Sequence, residues 1–77
     1  MPTIFIISGF RFFFYSNEHL PIHIHIEKGE KTEKYNLENI EIIKSTGFNS
    51  KDLKLIRNLI EENQQLLITK WNEYFSN

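Results

Sequence analysis

Cysteine is absent from these 77 residues, which removes a disulfide framework, a thiolate zinc site and a nucleophilic thiol together. Packing alone must hold the fold. A strong charge of either sign is lacking too. Nine Lys and Arg stand against ten Asp and Glu, a formal net charge of −1. That balance argues against a strongly electrostatic, sequence-independent nucleic-acid binder and leaves room only for a local basic patch. No apolar run reaches the ~20 residues that span a bilayer. The opening Ile4-Phe5-Ile6-Ile7 is broken by Ser8-Gly9 and follows no basic segment, so it reads neither as a membrane span nor as a signal peptide, and the expected location is cytoplasmic. Internal repeats, linkers and low-complexity segments are missing as well. The chain is expected to form a single domain, 1–77, of a size at which one core gives marginal stability and association supplements it. A homodimer or a small protein partner follows from that, with no membrane.

What is present divides into two periods. Pro2 to Ile7 and Phe10 to Tyr15 read as strands joined at Ser8-Gly9, a hairpin. On the second, Phe10, Phe12 and Phe14 share one face and Arg11, Phe13 and Tyr15 the other, too apolar for an edge, so it is expected inside the sheet. A polar connection from Ser16 leads through Pro21 to a strand over Ile22 to Glu27. Gly29-Glu30 marks a tight turn, and Lys31 to Asn36 is a short polar strand anchored by Tyr35. Asn39 to Lys44 is a fifth strand or a helical turn. From Leu53 onward the apolar positions Leu55, Ile56, Leu59, Ile60, Leu66, Leu67, Ile68, Trp71, Tyr74 and Phe75 follow a period near 3.6 with no Gly or Pro. Asn49 is placed to cap this helix, Asp52 stands at its N3 position and Phe48 precedes the cap, a capping box with a staple onto Leu53. The polar interval Glu61 to Gln65 reads as a kink or hinge. The expected fold is α+β: a small antiparallel sheet of four to five short strands, about 2–44, against a long C-terminal helix, about 50–75.

All three histidines fall within seven positions, His19, His23 and His25. In a strand after Pro21 the period of two sends Ile22, Ile24 and Ile26 to one face and His23, His25 and Glu27 to the other. Side chains two apart on one strand face can converge on one ion or one phosphate, and imidazole serves as acid, base or metal ligand near neutrality. Glu18 and His19 in the preceding connection could fold over the same face. If the neighbouring strand pairs here, Arg11 and Tyr15 flank His23 and His25.

The segments Met1-Pro2-Thr3-Ile4, Gly9-Phe10, Asn17-Glu18-His19-x-Pro21-x-His23-x-His25 and Trp71-Asn72-Glu73-Tyr74-Phe75 together resemble the small prokaryotic family of domain of unknown function 4160 (DUF4160), across essentially the whole chain. Its members typically carry Glu-His-x-Pro-Pro-His-Phe-His, and His19, His23 and His25 fall on the three family histidines. Ile22 stands where a second proline is common and Ile24 where an aromatic is, and both keep the apolar face. The resemblance implies no settled activity. It implies a part in two-gene modules, often beside a companion of domain of unknown function 2442, a toxin-antitoxin-like arrangement.

Three readings of the histidines are weighed. In the first the protein is a toxin-like, metal-independent endoribonuclease: His23 and His25 form an acid–base pair on RNA, supported by His19, Arg11 and Tyr15, with no cofactor. In the second a divalent transition metal is held by His19, His23, His25 and Glu27. In the third the polar strand face is structural, satisfied by hydrogen bonds or covered in an interface, within a non-enzymatic interaction module. The Lys51, Lys54 and Arg57 stripe, with Lys44 near it, reads as a solvated helix face, and the strand aromatics read as core.

Overall fold

The computed structural model describes residues 3–15 and 17–75. Five strands, β1 (Thr3–Ile7), β2 (Phe10–Phe13), β3 (His23–Lys28), β4 (Lys31–Asn36) and β5 (Glu41–Thr46), are followed by one helix, α1 (Ser50–Phe75). The strands form one antiparallel sheet in sequence order, β1-β2-β3-β4-β5, so β2 is interior as its two apolar faces require. The fold is the expected α+β arrangement.

Local chemistry sets the turns. Ser8 and Gly9 both have positive φ, 53° and 81°, the geometry of a two-residue hairpin whose twist matches its strands. The expected starts at Pro2 and Ser16 lie outside the described residues. β2 stops at Phe13, two residues short of the expected Tyr15, and β3 runs His23 to Lys28, shifted one residue from Ile22–Glu27. The fifth element is a strand and lies later than expected. The Asn36 side chain accepts from the N–H groups of Glu38 (2.8 Å) and Asn39 (3.2 Å), and these bonds hold 37–40 in a turn before β5. Ile43 is then the extra residue between the Lys34–Lys44 and Tyr35–Ile42 pairs, a bulge in the edge strand.

The core lies between one sheet face and α1. Phe10, Phe12, Phe14, Ile24, Ile26, Tyr35 and Leu37 meet Ile56, Ile60, Leu67 and Trp71 of the helix. Asn49 caps α1, its side-chain oxygen accepting from the Asp52 N–H at 2.8 Å. Phe48 packs on Phe10, with ring centroids 5.8 Å apart. The polar interval is no hinge: α1 runs unbroken through it. Gln64 Nε2 donates to the Leu37 carbonyl at 2.7 Å and Asn63 Nδ2 to the Leu59 carbonyl at 2.7 Å, so both amides are satisfied on the stripe between Ile60 and Leu67. The face of the sheet away from α1 carries the alternate residues, among them Arg11, Phe13, His25, Glu27, Lys34 and Lys44.

Candidate functional site on the open sheet face

Register decides which side chains meet on that face. β2 pairs β3 with Phe13 opposite His25 and Arg11 opposite Glu27. Glu27 is therefore taken: its Oε1 accepts from Arg11 Nε at 2.8 Å, while the Arg11 Nη1 donates to Thr3 Oγ1 at 3.0 Å. The guanidinium also lies 4.0 Å over the Phe13 ring. Arg11 is a neutralised structural cation here, two residues along β2 from Phe13, the partner of His25.

The carboxylate that reaches the histidines is Glu18, from the connection between β2 and β3. Its Oε1 lies 3.0 Å from His23 Nε2 and its Oε2 2.8 Å from His25 Nε2. The Tyr15 backbone N–H donates to Oε2 at 3.1 Å and orients it. Behind the cluster His23 Nδ1 stands 2.7 Å from the Pro21 carbonyl oxygen. A carbonyl only accepts, so this contact assigns the ring proton to Nδ1 and leaves Nε2 facing Glu18. By distance the Glu18 contacts are those of ion pairs, but their angles are not those of hydrogen bonds: both Nε2 atoms are buried and neither has an aligned partner. His23 is not on an accessible face, as the alternation predicts, but 2 % exposed. It opens β3 at the rim of the sheet, where the Trp71 ring lies 5.0 Å from its own and Glu18 covers its inner nitrogen.

His25 is the more open of the two, stacked on Phe13 at 5.4 Å and met edge-on by Tyr15 at 4.6 Å. Burial pushes its imidazole below the ordinary histidine value, Glu18 pulls the other way, and His23 and Lys34 add to the lowering. Glu18, His23 and His25 bring three ligand atoms within 4.8 Å of one another. His19 is exposed and, like Glu27, stands outside that cluster, so of the expected metal set only His23 and His25 are brought together.

A cleft of about 210 Å³ opens beside His25, lined by Tyr15, His25, Thr32, Glu33, Lys34, Lys44 and Thr46. Lys34 faces His25 on one side and Lys44 on the other. Sequence reading passed over Lys34, and placed Lys44 only near the helix stripe. The signal for both is parity on neighbouring antiparallel strands, which requires the register. Of the helix stripe, Arg57 is occupied otherwise, donating to the Ile40 carbonyl at 3.0 Å.

A five-stranded antiparallel meander backed by one helix, with polar side chains gathered on the free face, defines a small α+β protein. The chain belongs to the family described as a domain of unknown function (DUF4160), whose model matches residues 9–72. That span runs from the first hairpin turn through Trp71 and includes the cluster and the cleft. No curated protein and no solved structure matches the chain. No described helix is long and apolar enough to cross a membrane.

Proposed function

We propose that the protein acts on RNA, seating a phosphodiester in the cleft between Lys34 and Lys44 beside His25 and Tyr15, as one half of a two-gene, toxin-antitoxin-like module. The observation that carries this reading is the lysine pair. Lys34 and Lys44 stand directly opposite each other on β4 and β5, and among the described residues neither has a carboxylate within ion-pair distance. Like charges directly opposite across a strand pair cost stability. An anion seated between them turns that cost into affinity. The exposed Tyr15 ring at the cleft wall offers a base a stacking surface. Arg11, held by Glu27, takes no part. A two-gene module is what the resemblance to other members of the family implies.

Fluorescence anisotropy with a labelled single-stranded RNA at low salt tests the reading. Lys34→Glu and Lys44→Glu should each weaken binding by about tenfold or more and make the salt dependence shallower by roughly one ion per lysine removed. The same samples on a denaturing gel report whether the bound strand is cut. Equal affinity in the wild type and the double variant would overturn it.

A second reading, a protein-interaction module, is favoured by β5. All six of its residues are exposed, including Ile42 and Ile43, and it forms an open edge of the sheet. Such an edge is a template for an added strand, from a second copy or from a small partner encoded nearby.

A further inference from the structure

We infer that Glu18, His23 and His25 form a binding site for one divalent transition metal ion, with zinc as the best match to two imidazole nitrogens and one carboxylate oxygen. The inference is independent of any action on RNA. Three features point to an ion and away from a closed hydrogen-bonded triad. The first is direction. A shared proton requires an N–H axis that points at the oxygen, yet the buried Nε2 atoms of His23 and His25 lie 3.0 and 2.8 Å from Glu18 oxygens without aligning on them.

The second is the state of His23. Its Nδ1–H is committed to the Pro21 carbonyl at 2.7 Å, the outer contact by which ligating histidines are oriented. In the neutral ring the Nε2 lone pair then faces inward with nothing to receive it. That lone pair and the Glu18 carboxylate, 3.0 Å apart, repel each other unless a proton or a cation lies between them. Among the described residues no lysine or arginine is within ion-pair distance of Glu18.

The third is dimension. The three ligand atoms lie within 4.8 Å of one another, and ligands bound at ~2.0–2.2 Å around a tetrahedral ion stand roughly 3.4 Å apart. The tetrahedral spacing lies within that limit. Each ligand also has its own support: Tyr15 N–H on Glu18, Pro21 O on His23, and the Phe13 ring stacked on His25. Three protein ligands leave a fourth tetrahedral position for water or a substrate oxygen, as in catalytic rather than structural zinc sites. His25 also lines the lysine cleft, so an ion held there stands beside any phosphate seated in it.

The test uses the whole chain without a histidine tag, stripped with chelator. Titration with zinc chloride in a calorimeter should saturate at one ion per chain, and cobalt chloride should give the visible absorption of a tetrahedral site that zinc bleaches. Glu18→Gln should lower zinc affinity by about 100-fold or more, since losing a charged ligand costs at least as much as losing the support of one. His19→Ala and Glu27→Gln should leave it unchanged. If Glu18→Gln fails to fold, His25→Asn with the same readout and a far-ultraviolet spectrum replaces it, and the cobalt spectrum of the wild type stands alone. No saturable zinc binding, or binding lost with His19→Ala and kept with Glu18→Gln, would overturn the site. RNA affinity measured before and after zinc loading separates this outcome from the fate of the cleft.

Discussion

Glu33 is a carboxylic acid set under the sheet, 3 % exposed, with only one of its oxygens satisfied, by the Ser45 hydroxyl at 2.8 Å. Burial pushes its pKa above the ordinary glutamate value, while the Ser45 hydroxyl first and the neighbouring Tyr35 second offset part of the rise. The Tyr35 phenol is pushed up to about 12, by burial first and by Glu33 second, and stays protonated. The sign follows from linkage. A carboxyl whose folded pKa exceeds its unfolded one binds more protons when folded, so stability is full below the unfolded value and falls as pH rises through the folded one. Glu33→Gln should therefore gain on the wild type as pH climbs from about 4.5 toward neutrality, read as the difference between urea midpoints. A difference constant over that range would mean that the carboxyl is solvated. The burial of Tyr35 is legible in the chain, and the period of two that turns Tyr35 inward carries Glu33 with it. What parity does not give is the Ser45 hydroxyl on β5, which depends on a bulge at Ile43.

Capping and turn chemistry are local, and they are the features the chain declares most openly. Asn49 stands where its side chain is expected and bonds the Asp52 N–H, so Asn49→Ala should cost about 0.5–2 kcal/mol in chemical denaturation. An unchanged midpoint would place the helix start elsewhere. The hairpin at Ser8-Gly9 and the strand Lys31–Asn36 are equally local, set by turn residues and alternation. The unbroken helix is not. Glu61 to Gln65 interrupts the apolar stripe, and only the reach of Gln64 to the Leu37 carbonyl, 27 residues away in the chain, shows why the interruption is tolerated. Gln64→Ala should accordingly lose about 0.5–1.5 kcal/mol, with α1 still helical by circular dichroism, because a part-buried carbonyl loses its donor. Retention of full stability would mean that water replaces the amide without cost.

Across the sheet the two faces divide stability from chemistry. Phe10, Phe12, Phe14, Ile24 and Ile26 pack under α1, and the opposite face gathers Glu18, His23, His25, Lys34 and Lys44. Alternation in the histidine segment shows that His23 and His25 share a face. It cannot show that Glu18 closes over them while His19 stays out, nor that Glu27 belongs to Arg11, because those outcomes depend on the path of a connection and the register of a neighbour. Trp71 is core, packed on Phe14 and His23, whereas Tyr74 beside it is exposed, as is the open edge strand β5. A homodimer through β5 should appear in light scattering as twice the 9.3 kDa chain at micromolar concentration, and a monomer throughout would remove it. The convergence of Glu18, His23 and His25 is tested most directly by long-range proton–nitrogen correlation of the histidine rings in the metal-free protein. His23 should carry its proton on Nδ1, held by the Pro21 carbonyl, with Nε2 turned toward Glu18. A His23 ring protonated on Nε2 alone would contradict this, since Nε2 would then have no lone pair turned into the cluster.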